Sequence, residues 1–95
     1  MTSVAQMFSE RFSFWISQGH SGAEVYSMLA TDTELPVFFE EPDVAAICGL
    51  STHAITARRK KGNDPKFIRL SRRSVRYPRA EFCEWLAKLS APNAV

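Results

Sequence analysis

Gly49 divides two short helical patterns that lie too close together in sequence for anything but a tight helix pair. "EEPDVAAIC" runs up to it and "LSTHAITARRKK" follows it. Pro42 suits a first helical position, where a missing N–H costs nothing, and Glu40 and Glu41 suit the positive end of a helix. Ser51 or Thr52 is the expected N-cap of the second helix, and Gly62 its stop. A glycine between the two frees the backbone for a sharp turn, and Ala45 is small where the helices must cross. Val44, Cys48, Leu50 and Ile55 are expected to pack the pair onto the rest of the domain. Ser51, Thr52, His53, Thr56, Arg59 and Lys60 then face outward from the second helix, with Lys61 just beyond.

Downstream, apolar and basic residues alternate. Lys66 to Leu70 and Ser74 to Tyr77 read as two strands around Ser71-Arg72-Arg73. Ile68, Leu70, Val75 and Tyr77 are expected to face the core, which leaves Arg69 and Arg76 outward and Arg72 and Arg73 at the tip. The tip has no glycine, which disfavours a two-residue type I′ turn and predicts a longer type I loop. A helix, a tight turn, a helix and a basic hairpin make a winged helix-turn-helix. The expected fold is mainly α with a small β-hairpin wing, preceded by an N-terminal helical extension.

The extension covers residues 1–36, the winged domain 37–90 and a tail 91–95. From Ser3 to Gln18 the residues Val4, Met7, Phe8, Phe12, Trp15 and Ile16 form one apolar helical stripe. Gly19 stops it, and Ser21-Gly22-Ala23-Glu24 reads as a capping box for a second helix ending near Ala30. Val37 to Phe39 is a short strand or an extended lead-in. The last helix spans about Pro78 to Leu89, with Phe82, Trp85, Leu86 and Leu89 on one face.

Charge is sharply segregated. Residues 1–57 carry one arginine against seven acidic side chains, whereas residues 58–79 carry ten lysines and arginines against Asp64 alone. This polarity favours a nucleic acid as partner. A helix of this width fits the major groove, with its N-terminal half toward base edges. Arg72 and Arg73 can reach phosphates or enter a minor groove. Arg76 and Arg79 have Glu81 and Glu84 as alternative partners. RNA is less favoured, because the basic residues are not interleaved with exposed aromatic platforms.

Residues 38–89 resemble the AlpA-like and phage excisionase-like winged helix-turn-helix proteins, a MerR-related fold. The residues that carry the resemblance are "EEPDVAAICGLSTHAITARRKKG" and "PKFIRLSRRSVRYPRAEFCEWL". Arg58 stands where that family usually has an aromatic or apolar residue. The resemblance implies DNA binding, in recombination directionality beside a site-specific recombinase or in control of transcription.

Other classes have little support. No paired carboxylates, Ser/His/Asp arrangement or glycine-rich phosphate loop suggests an enzyme. Cys48 and Cys83 read as small buried hydrophobes, and with His20 and His53 they make no metal-site spacing, so neither metal nor cofactor is expected. No apolar run approaches a membrane span and no signal-peptide pattern is seen, so the expected location is cytoplasmic and nucleoid-associated. A protein-interaction module without DNA, such as an anti-repressor or antitoxin-like binder, is the alternative of another class. One recognition helix and one wing offer little surface, so several copies are expected side by side on DNA. A head-to-tail interface would use exposed members of Phe8, Phe12, Phe14 and Trp15, or Asp32 and Glu34.

Overall fold

The computed structural model describes residues 2–90. Helix α1 (Val4–Ser17) starts at Ser3, whose hydroxyl accepts from the Gln6 amide at 3.1 Å. Then come α2 (Ala23–Ala30), β1 (Phe38–Phe39), α3 (Glu41–Cys48), α4 (Thr52–Lys60), β2 (Ile68–Ser71), β3 (Ser74–Pro78) and α5 (Arg79–Ser90). The fold is mainly helical, with a three-stranded antiparallel sheet in the order β1-β3-β2, and β2-β3 is the hairpin wing. Among the described residues no helix is long and apolar enough to cross a membrane.

The core is one cluster to which every helix and two strands contribute. Phe39 of β1 and Phe82 of α5 meet edge-on at 5.6 Å between centroids, and Phe8 of α1 stands 6.4 Å and 6.3 Å from them. This edge-to-face geometry sets the positive rim of one ring against the negative face of another. Val25, Leu29, Val44, Ile55, Tyr77 and Cys83 fill the space around them. Residues 1–36 therefore complete the core of the winged part. Burial holds the Cys83 thiol up at about 12, so it stays protonated and packs as a hydrophobe.

The helix pair forms as its sequence dictates. Glu40 and Asp43 make a reciprocal capping box at the start of α3, with Asp43 Oδ2 3.0 Å from the Glu40 amide. Gly49 closes it in the left-handed region at φ 71°, and the Leu50 amide donates to the Ala45 carbonyl at 2.9 Å. Ser51 caps α4 by accepting from the Ala54 amide at 3.1 Å.

Several expectations need correction. Ser21 and Glu24 form no capping box: Gly22 is the N-cap of α2 without a side-chain bond, and Glu24 pairs with His20 instead. Leu50 and Leu89 lie outside the core, at 46% and 65% exposure. Arg79 pairs with neither Glu81 nor Glu84. Its guanidinium donates inward to the carbonyls of Ala30 (3.1 Å) and Leu35 (2.9 Å), tying the start of α5 to the segment after α2.

The largest correction concerns the wing. Ile68 pairs with Arg76, and Arg69 with Val75. Paired residues share a sheet face, so Arg69 lies on the side of Val75 and Tyr77, while Ile68 lies with Arg76 on the other side. Phe67, which flanks β2, packs inward, 6.2 Å from the Tyr77 ring. All four residues of β2 are exposed, so Ile68 and Leu70 do not face the core. The loop is also shorter than expected, with only Arg72 and Arg73 between the strands. Neither has positive φ, which excludes the I′ turn. The pairing shifts by one residue between Arg69 and Ser71, and that bulge accommodates the hairpin.

Candidate nucleic-acid interface

Glu41 organises this region. Its carboxylate, on the first residue of α3, receives three side chains from two other elements. Arg59 of α4 donates Nε to Oε2 at 2.6 Å, and Tyr77 of β3 donates its hydroxyl to the same oxygen at 2.7 Å. The Thr56 hydroxyl lies 2.6 Å from Oε1 and 3.0 Å from the Thr52 carbonyl. Arg59 and Glu41 side chains are only 16% and 15% exposed. Burial alone would raise the Glu41 carboxyl, but the bonds from Arg59, Thr56 and Tyr77 outweigh it and hold the group at about 2. The Tyr77 phenol is pushed up, first by burial and then by the adjacent carboxylate. One ionised acid thus ties α3, α4 and the wing together and fixes where the wing stands relative to α4.

This arrangement corrects two expected outward residues. Thr56 and Arg59 are half-buried and turn their polar atoms to Glu41 instead of straight outward. Ser51 is exposed, but its hydroxyl is committed to the helix cap. Thr52 and His53, in the first turn of α4, are exposed as expected, as are Lys60 and Lys61 at its end. Arg58 is turned over the Trp85 ring at 5.6 Å and donates to the Asp64 carbonyl at 2.7 Å, which explains a basic residue where an apolar one would pack.

On the wing, Arg72 and Arg73 are exposed at the tip. Arg69 is exposed and donates to the Arg72 carbonyl at 3.2 Å, bracing the turn. Arg76 is half-buried, bonded to the Val75 carbonyl at 3.0 Å and 3.9 Å from Glu40. A shallow depression of about 180 Å³ lined by Glu41, Pro42, Arg59, Arg73 and Arg76 joins the wing tip to the helix pair. Among the described residues, Lys60, Lys61, Arg72 and Arg73 have no ion-pair partner.

The residues expected to join neighbouring copies divide in the same way. Phe8 and Asp32 are buried and unavailable for such an interface. Asp32 accepts from Arg11 Nε (2.7 Å), Trp15 Nε1 (2.8 Å) and the Glu34 amide (2.9 Å), and these bonds lower its carboxyl against the opposing effect of burial. Phe12 packs on Tyr26 at 5.4 Å. Phe14, under the Arg11 guanidinium, and Glu34 remain exposed.

Sequence reasoning missed the Glu41 cluster because its members are 15 to 36 residues apart. The signal was Tyr77, an aromatic expected in the core whose hydroxyl had to find an acceptor there. Among the described residues no three His, Cys, Asp or Glu side chains gather as a metal site.

No family model, curated protein or solved structure matches the chain.

Proposed function

We propose that this chain is a sequence-specific double-stranded DNA-binding protein. The first turn of α4 reads base edges in the major groove, and the wing tip holds the neighbouring backbone. The observation that carries the reading is the sorting of cations. Arg58, Arg59 and Arg79 are spent on internal acceptors, whereas Lys60, Lys61, Arg72 and Arg73 stand exposed on α4 and the wing tip. Exposed cations gathered at the end of one helix and on a neighbouring hairpin tip are placed to contact phosphates.

Within that reading, the role proposed is that of an excisionase, a recombination directionality factor that binds and bends DNA for a site-specific recombinase. An AlpA-like transcriptional regulator is the alternative role. Both rest on the resemblance of residues 38–89, and assays of element excision and of promoter activity separate them. Cooperative filling of adjacent sites belongs to the same proposal, with Phe14 and Glu34 as the exposed residues that would meet a neighbouring copy.

A second reading has its own observation. Tyr26, Ile47, Leu50, Trp85, Leu86 and Leu89 line an open apolar groove of about 480 Å³, which suits a protein-interaction module. Such a module would leave heparin at low salt and show no preference among duplexes.

Selection of duplexes from a random library, followed by anisotropy titration, tests the primary reading. Thr52→Ala and His53→Ala should relax preference at one or two base pairs by roughly 5- to 100-fold, the worth of one base-edge interaction. Lys60→Ala should weaken all sequences about equally. If all three variants weaken every duplex alike, α4 is not the reading element.

A further inference from the structure

Leu70 contributes nothing to the core: it is 60% exposed, on a strand with no buried residue. It is also the residue that the β2–β3 register shift leaves without a partner. Arg69 precedes it, and Arg72 and Arg73 follow beyond Ser71, all of them exposed. A bulge re-aims side chains and increases local twist. The wing therefore carries a large apolar side chain at its most irregular point, flanked along the chain by arginines.

Those cations select the kind of surface Leu70 would meet. Arginines seated on the phosphates of two strands bring whatever lies between them into the groove, against sugars and base edges, where the duplex is least polar. Resting on the DNA-binding reading above, we infer that Leu70 is a wedge. The wing enters the minor groove, and the Leu70 side chain presses on a base step, partly unstacking it and kinking the duplex. Proteins that bend DNA from the minor groove combine these same two elements, basic side chains to hold the backbone and an apolar side chain between steps. Unstacking costs a few kcal/mol per step, offset by the wider interface that a bent duplex makes. Pyrimidine–purine steps open most easily, so a TA or CA/TG step is the expected seat. Ile68 lies on the same strand but is less exposed, at 37%, and further from the tip, so it supports the hairpin and not the wedge.

The test is a bending measurement by fluorescence resonance energy transfer, at saturating protein, on the selected duplex with 2-aminopurine at its central flexible step. The wild-type protein should kink this DNA by roughly 20–90° and brighten the probe. Leu70→Ala should lose more than about half of the bend and all of the brightening, with affinity reduced less than about tenfold, because the phosphate interactions that dominate affinity remain. Ile68→Ala should bend DNA as the wild type does, and Leu70→Phe, a larger wedge, should restore the brightening. The inference is overturned if Leu70→Ala bends and brightens like the wild type, or if the wild type binds without doing either. A wild type that binds no duplex instead removes the DNA-binding reading, and the wedge with it.

Discussion

Replacing Arg72 and Arg73 together with alanine should weaken duplex binding by roughly 10- to 100-fold at about 0.1 M salt, and by little at about 1 M. Both side chains are exposed at the wing tip and form no ion pair among the described residues. Their removal should leave the fold intact, and circular dichroism and melting temperature should stay at wild-type values. On the proposed reading they supply release of the ions condensed on two phosphates. For each phosphate left without its arginine, the plot of log K against log salt should therefore flatten by about 0.9. The convergence at high salt distinguishes this from a structural effect, which would lower affinity equally at every salt concentration. A double variant that binds like the wild type at low salt would remove the wing from the interface.

Glu41→Gln should destabilise the fold by about 3 kcal/mol. The amide cannot neutralise Arg59, whose side chain is only 16% exposed and would be left as an unpaired, largely desolvated cation. The same carboxylate sets an acid limb. Its folded value of about 2 lies below the ordinary value of 4.5, so its contribution is fully present above about pH 4.5 and is lost as pH falls through about 2. A shift of that size corresponds to about 3 kcal/mol. Between about pH 5 and pH 2 the wild type should therefore lose about 3 kcal/mol more stability than Glu41→Gln. Asp32, whose carboxyl is also lowered, is present in both proteins and cancels. Urea melts at several pH values measure the difference. Parallel acid limbs in the two proteins would show that the cluster does not stabilise the fold. In a Glu41→Gln protein that still folds at neutral pH, DNA affinity should fall as well, because the wing is no longer fixed to α4.

Local chemistry made the helix pair legible. A proline at the start, a glycine at the turn and a serine cap act within a few residues of where they stand, and α3, Gly49 and α4 form as those signals require. The stripe of α1 was legible for the same reason, since helical periodicity shows which face is covered, although Ile16 at its end is 49% exposed and lies outside the core. It does not show by what, and the partners of Phe8 come from β1 and α5. The wing was half legible. Alternation located its strands, but alternation has two possible phases, and a single bulge at Leu70 decides which pairs form. The sequence pattern alone predicts the phase with Ile68, Leu70, Val75 and Tyr77 inward. The structure instead covers the core with Phe67, Val75 and Tyr77. Charge was the least legible feature. A run of ten cations gives no sign that Arg58, Arg59 and Arg79 turn inward, because their acceptors lie on other elements.

The salt dependence of binding by the unaltered protein tests the central claim most directly. On the proposed reading Lys60, Lys61, Lys66, Arg69, Arg72, Arg73 and Arg76 are the cations of residues 58–79 that remain for phosphates, and neutralising roughly four to six phosphates predicts a slope of log K against log salt of roughly −4 to −5. Anisotropy titrations on the selected duplex from about 0.05 to 0.5 M salt would give that slope. A value near zero would contradict the account.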